Sequence, residues 1–232
     1  MIYVKNNMAA WLVLAVLLAA TSACARRGNT DLLTGPAATI DKNADTIKPR
    51  TGKGDPVAGK VKSQVCQGCH GVDGNSSDEQ IPKLAGQYDV YIIKELRNYQ
   101  AGIRSHEIMN AMAATLSEGD VADIAAYFAN QPTMKGNGSA PNEIGKNIFL
   151  KGNISQMVMA CVHCHGAGGK GLFPDTPMFP VIGGQNKAYL LKQLKDFKND
   201  DRDNSPNEIM NRIVRSLSNE ELEALAEYVS VL

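Results

Sequence analysis

Apolar residues recur at helical spacing in three stretches of the chain. Tyr88, Tyr91, Ile92, Leu96 and Tyr99 fall three or four residues apart and predict a helix over 88–101. Val121, Ile124, Ala125 and Phe128 repeat the spacing behind Ser117, with Asp120 three residues after the serine. Leu222, Leu225, Tyr228 and Val229 do the same behind Ser218 and Glu221. A serine followed three places later by an acid is a helix-start pattern, because each side chain satisfies an unpaired N–H of the first turn. No run alternates with period two, so the expected class is all-α.

The N-terminus has a different pattern. Met8 to Ala20 is an unbroken apolar run of thirteen residues, preceded by Lys5 and followed by Thr21, Ser22, Ala23, Cys24 and Ala25. About twenty apolar residues are needed to span a bilayer, so residues 1–25 read as a cleavable export signal. Ala23-Cys24-Ala25 fits an ordinary cleavage site. Ala23-Cys24 also resembles the end of a lipid-attachment signal, although Thr21 departs from that pattern. Soluble export and a lipid anchor on Cys24 both remain open. Residues 26–53, rich in Gly, Thr, Asp, Lys and Pro, read as a flexible leader.

The remainder repeats itself. Cys66-Gln67-Gly68-Cys69-His70-Gly71 returns as Cys161-Val162-His163-Cys164-His165-Gly166. Ile81-Pro82 through Gln87 returns as Phe179-Pro180 through Gln185. Tyr91 through Leu96 returns as Tyr189 through Leu194, and Glu107-Ile108-Met109-Asn110 as Glu208-Ile209-Met210-Asn211. The offset grows from 95 to 98 to 101, which two three-residue insertions explain. The expected organisation is a first domain at 54–131, a linker at 132–141 and a second domain at 142–232.

Lys+Arg and Asp+Glu both number 24, which argues against a basic nucleic-acid surface. Aromatic residues are only 6%, so something besides side chains is expected to fill the interior. The cysteines identify it. Cys-x-x-Cys-His, in an exported chain, is the pattern of covalent c-type haem attachment. Two thiols three residues apart on one turn can bond the two vinyl groups of one haem, and the next residue, His70 or His165, comes beneath the iron. Gly71 and Gly166 leave room beside the ring. A zinc ribbon needs closer cysteine pairs, and a thioredoxin-type site needs a βαβ setting. Two covalent haems consume Cys66, Cys69, Cys161 and Cys164, leaving only Cys24.

The opposite axial position is filtered by the repeat. Among nine methionines, Met109 and Met210 match each other within Glu-Ile-Met-Asn, whereas Met112 aligns with Ile213 and Met178 with Gln80. His106 aligns with Asn207, and His163 faces away from the ring on local geometry. Met109 and Met210 are therefore the expected distal ligands. His/Met ligation favours Fe(II) and fills both axial positions, which points to electron transfer rather than catalysis. The carbonyls of Pro82 and Pro180 are the expected acceptors for the second N–H of each ligating imidazole.

In this ordered set of blocks, residues 52–232 resemble the dihaem cytochrome c4 family. The resemblance implies two tandem cytochrome c domains related by a pseudo-twofold axis. It also implies a periplasmic carrier taking electrons from a quinol-oxidising complex or another cytochrome and passing them to a terminal oxidase. Membrane association would come through a partner or a lipidated Cys24. The charge contrast that some members show between domains is weak: net −3 over 52–131 and −1 over 142–232. A dihaem peroxidase, or a haem subunit of a larger oxidase, is the competing reading and needs an open haem position.

Overall fold

In the computed structural model, the described residues are 54–172 and 178–232. The export signal, the leader and Cys24 lie outside them. The described residues belong to one compact unit. Five helices form its first half: α1 (Pro56–Lys62), α2 (Gln64–His70), α3 (Asp89–Gln100), α4 (Glu107–Ala114) and α5 (Glu118–Ala129). Five form the second: α6 (Glu143–Lys151), α7 (Val162–His165), α8 (Lys187–Lys198), α9 (Ile209–Val214) and α10 (Asn219–Ser230). The only extended pairing among the described residues is a single bridge between Asn153 and Val158. The structure is all-α, as the periodicity indicates.

Both expected helix starts are built. Ser117 accepts from the Asp120 N–H while the Asp120 carboxylate accepts from the Ser117 N–H, and Ser218 and Glu221 do likewise. The two halves share one packing scheme: α1 crosses α5 and α6 crosses α10, α3 and α8 pack against the same helices, and α4 and α9 flank them. Glycine makes the first crossing possible. A Cβ on Gly59 would stand 1.9 Å from the Asp123 carbonyl oxygen, and one on Gly145 2.0 Å from that of Ala224. The backbones touch there, and no side chain larger than hydrogen fits.

Those glycines reveal an insertion that the repeat blocks hide. The offset between copies is 86 at Gly59/Gly145 but 95 at Cys66/Cys161, so the second half is nine residues longer before its motif. The extra chain forms the Asn153–Val158 turn, where Ile154 and Met157 are about nine-tenths exposed.

The segment read as a linker is held in place. Met134 is buried, its N–H donates to the Ala85 carbonyl, and the Gly136 N–H donates to the Leu232 carbonyl. Lys170 Nζ donates to the carbonyls of Met134 and Gly183 at 2.9 Å each. Composition rich in Gly and Pro marked a connection, but it carried no information about these tertiary bonds.

Candidate functional site

Each Cys-x-x-Cys-His segment is a short helix that ends on its histidine. The next residue is glycine at φ +84° (Gly71) or +73° (Gly166), a region that side-chain-bearing residues avoid. Room beside a ring was the expectation for these glycines; the turn itself supplies a further reason. None of the four motif cysteines is in a disulfide, so all four sulfurs are available.

Both histidines are buried, and burial pushes their pKa values down, partly offset by one hydrogen bond each. The Nδ1 atoms lie 2.9 Å from the carbonyl oxygens of Pro82 and Pro180. A carbonyl can only accept, so each Nδ1 carries the hydrogen and each Nε2 the lone pair. A neutral imidazole fixed in this tautomer is a metal ligand in its binding state.

The histidines border a connected cavity of ≈ 380 Å³. Its walls in the first half include Leu84, Ile92, Leu96 and Phe128, and in the second Ile182, Leu190, Phe197 and Leu225. Cys66, Cys69, Cys161 and Cys164 open onto it, as do Met109 and Met210. Met109 lies in the first turn of α4, where His106 Nδ1 caps the Met109 N–H at 3.4 Å. His106 is thus an exposed helix cap. Met210 lies in the first turn of α9, and its N–H donates to Ser205 Oγ at 3.2 Å. His163 is exposed.

The cavity also has a buried charged wall that the sequence reading missed. Glu95 Oε2 accepts from Arg104 Nη1 and from Asn204 Nδ2 at 2.8 Å each and forms an ion pair with Arg202 Nη2 at 3.2 Å. Lys94 Nζ bonds Glu95 Oε1 at 2.7 Å. On the other side, Gln193 Oε1 accepts from both Arg104 and Arg202 at 2.7 Å. Burial pushes the Glu95 carboxyl up, but the charges of Arg202, Arg104 and Lys94 outweigh it and hold the group at about 2. The available signal was the repeat itself: Tyr91/Tyr189, Glu95/Gln193 and Arg104/Arg202 all share the 98-residue offset.

These residues fit a haem. Paired thiols, a lone-pair nitrogen and a thioether line an apolar cavity in each half. Three cations meet one carboxylate in the charged wall, an excess that suits the propionate carboxylates of a porphyrin.

A family profile described as cytochrome c matches residues 57–132 and again 143–232. Over 182 residues the chain is 40% identical to cytochrome c4 of Pseudomonas aeruginosa, covering 77% of this chain and 89% of that one. The chain belongs to the cytochrome c4 family. The crystal structure of reduced recombinant cytochrome c4 from Pseudomonas stutzeri superposes with a TM-score of 0.72 at 39% identity, covering 77% of this chain and 99% of that one. A thiosulfate dehydrogenase electron acceptor of Stutzerimonas stutzeri is 33% identical over 171 residues, covering 72% of this chain and 78% of that one. This cytochrome is therefore a dihaem electron-transfer protein, with two covalent c-type haems at Cys66/Cys69 and Cys161/Cys164. No helix among the described residues is long and apolar enough to cross a membrane.

Proposed function

We propose that His70 with Met109, and His165 with Met210, are the axial pairs of the two haems. In this reading the chain carries electrons one at a time in the periplasm, from a quinol-oxidising complex or another cytochrome to a terminal oxidase. Residues 54–131 and 142–232 are the two haem domains, joined by 132–141. The bound haem supplies a one-electron Fe(III)/Fe(II) couple. The protein supplies a neutral nitrogen ligand, a soft sulfur ligand that raises the potential, and an apolar enclosure that excludes water.

The supporting observation is a histidine in its ligand tautomer and a methionine on the same cavity, found in both halves. Occupied axial positions suit electron transfer and leave no site for peroxide. A mature protein heavier than its polypeptide by two haems, low-spin when reduced, slow to bind carbon monoxide and oxidised by terminal-oxidase membranes would support the reading. Rapid carbon monoxide binding would favour the peroxidase alternative. A second reading of the donor, supported by the relative named as a thiosulfate dehydrogenase electron acceptor, is an enzyme that oxidises thiosulfate. Stopped-flow reduction by such an enzyme, compared with a quinol-oxidising complex, separates the two.

A further inference from the structure

Gln87 and Gln185 occupy equivalent places in the two domains, and both are almost fully buried. Each reaches into the opposite domain. Gln185 Oε1 accepts the N–H of Lys83 at 2.7 Å, and Gln185 Nε2 donates to the Lys83 carbonyl at 2.9 Å. Gln87 Oε1 accepts the N–H of Val181 at 3.0 Å, and Gln87 Nε2 donates to the Val181 carbonyl at 2.8 Å.

The N–H of Lys83 belongs to the same peptide group as the Pro82 carbonyl, and that carbonyl accepts from His70 Nδ1 at 2.9 Å. The N–H of Val181 likewise shares a peptide group with the Pro180 carbonyl, which accepts from His165 Nδ1 at 2.9 Å. Two continuous relays result. One runs from Gln185 of domain 2 through peptide 82–83 to His70 of domain 1. The other runs from Gln87 of domain 1 through peptide 180–181 to His165 of domain 2.

We propose that Gln185 and Gln87 are positioning residues that set the donor strength of the opposite domain's haem-binding histidine, each acting through one shared peptide group. An acceptor on the peptide N–H shifts electron density toward the carbonyl oxygen, and successive hydrogen bonds strengthen each other by roughly 10–30% per bond. A stronger carbonyl acceptor draws on the Nδ1 hydrogen and makes the imidazole a better electron donor. A better donor favours Fe(III) and lowers the reduction potential. Each haem is thereby tuned by the domain that does not contain it. The inference rests on His70 and His165 as axial ligands.

The test uses the dihaem holoprotein carrying Gln185→Met or Gln87→Met, with the potential of each haem resolved by a redox titration followed by NMR. Gln185→Met is expected to raise the potential of the domain 1 haem more than that of domain 2, and Gln87→Met to do the reverse. A shift that is absent, equal in both domains, or larger in the domain carrying the substitution overturns the proposal. Gln185→Glu retains the oxygen acceptor and is expected to leave the domain 1 potential at or below the parent value; a rise matching that of the methionine variant also overturns it. Hyperfine-shifted imidazole signals from His70 and His165 in the oxidised parent report the axial reading separately. Their absence removes that reading and this proposal together. Their presence without crossed shifts removes the proposal alone.

Discussion

Glu95 of the first domain meets Arg202 of the second at 3.2 Å. The same carboxylate oxygen takes Arg104 at 2.8 Å, so one buried acid serves two buried guanidinium groups. The equivalent position in domain 2 is Gln193, which offers both arginines an oxygen without a charge. Breaking a buried ion pair on one side leaves charge without compensation and costs about 3–5 kcal/mol. Glu95→Gln is expected to lower the stability of the holoprotein by about 3 kcal/mol, read as a reduced urea midpoint. A midpoint equal to the parent's would show that the arginines are balanced by other groups.

Acid should loosen the same contact. The Glu95 carboxyl is held at about 2, below its ordinary 4.5, so its contribution is complete above the ordinary value. It is lost as pH falls through about 2. The parent is expected to lose stability progressively between those limits, while Glu95→Gln, already lacking the charge, loses less over that window. Thermal melts of both proteins at stepped pH check this, and parallel curves would contradict it.

Replacement of either methionine tests its assignment. Met109→Ala and Met210→Ala are each expected to remove half of the far-red sulfur–iron band of the oxidised protein and to admit carbon monoxide at one haem. The double variant should lose the band entirely. An unaltered band in either single variant would reassign that axial position.

Helix crossing imposes a steric prediction. Gly59→Ala would drive a methyl into the Asp123 carbonyl and is expected to cost about 3 kcal/mol, with Gly145→Ala similar. Gly68 on α2 has nothing within 4 Å of its Cβ position, so Gly68→Ala should instead stabilise by about 0.5–1 kcal/mol. Chemical denaturation of the three variants compares them directly, and a destabilising Gly68→Ala would undo the steric argument.

Much of this protein was legible before folding because its signals are local or repeated. Periodicity places α3, α5 and α10, since an apolar stripe depends only on neighbours three and four residues away. Ser117/Asp120 and Ser218/Glu221 announce their helices because a cap is satisfied within one turn. The haem thiols share a turn, and comparison of the two copies singles out Met109 and Met210 as the proposed distal ligands.

Tertiary structure alone decided what crosses between copies. Spacing along the chain does not mark Glu95 as buried; that follows only when Arg104 and Arg202 are packed against it. The 132–141 segment reads as a loose connection until Met134 is buried and its backbone bonded. Gln87 and Gln185 lie in visibly matched blocks, but a repeat shows only that two positions are alike, not that each bonds the other's copy. The sequence by itself determined the helices, the thiols and the matched residues proposed as axial ligands, because those depend on spacing along one chain. Which peptide each glutamine grips, and which charges share a buried wall, were decided by three-dimensional packing, because hydrogen bonds and Coulomb forces depend on distance in space.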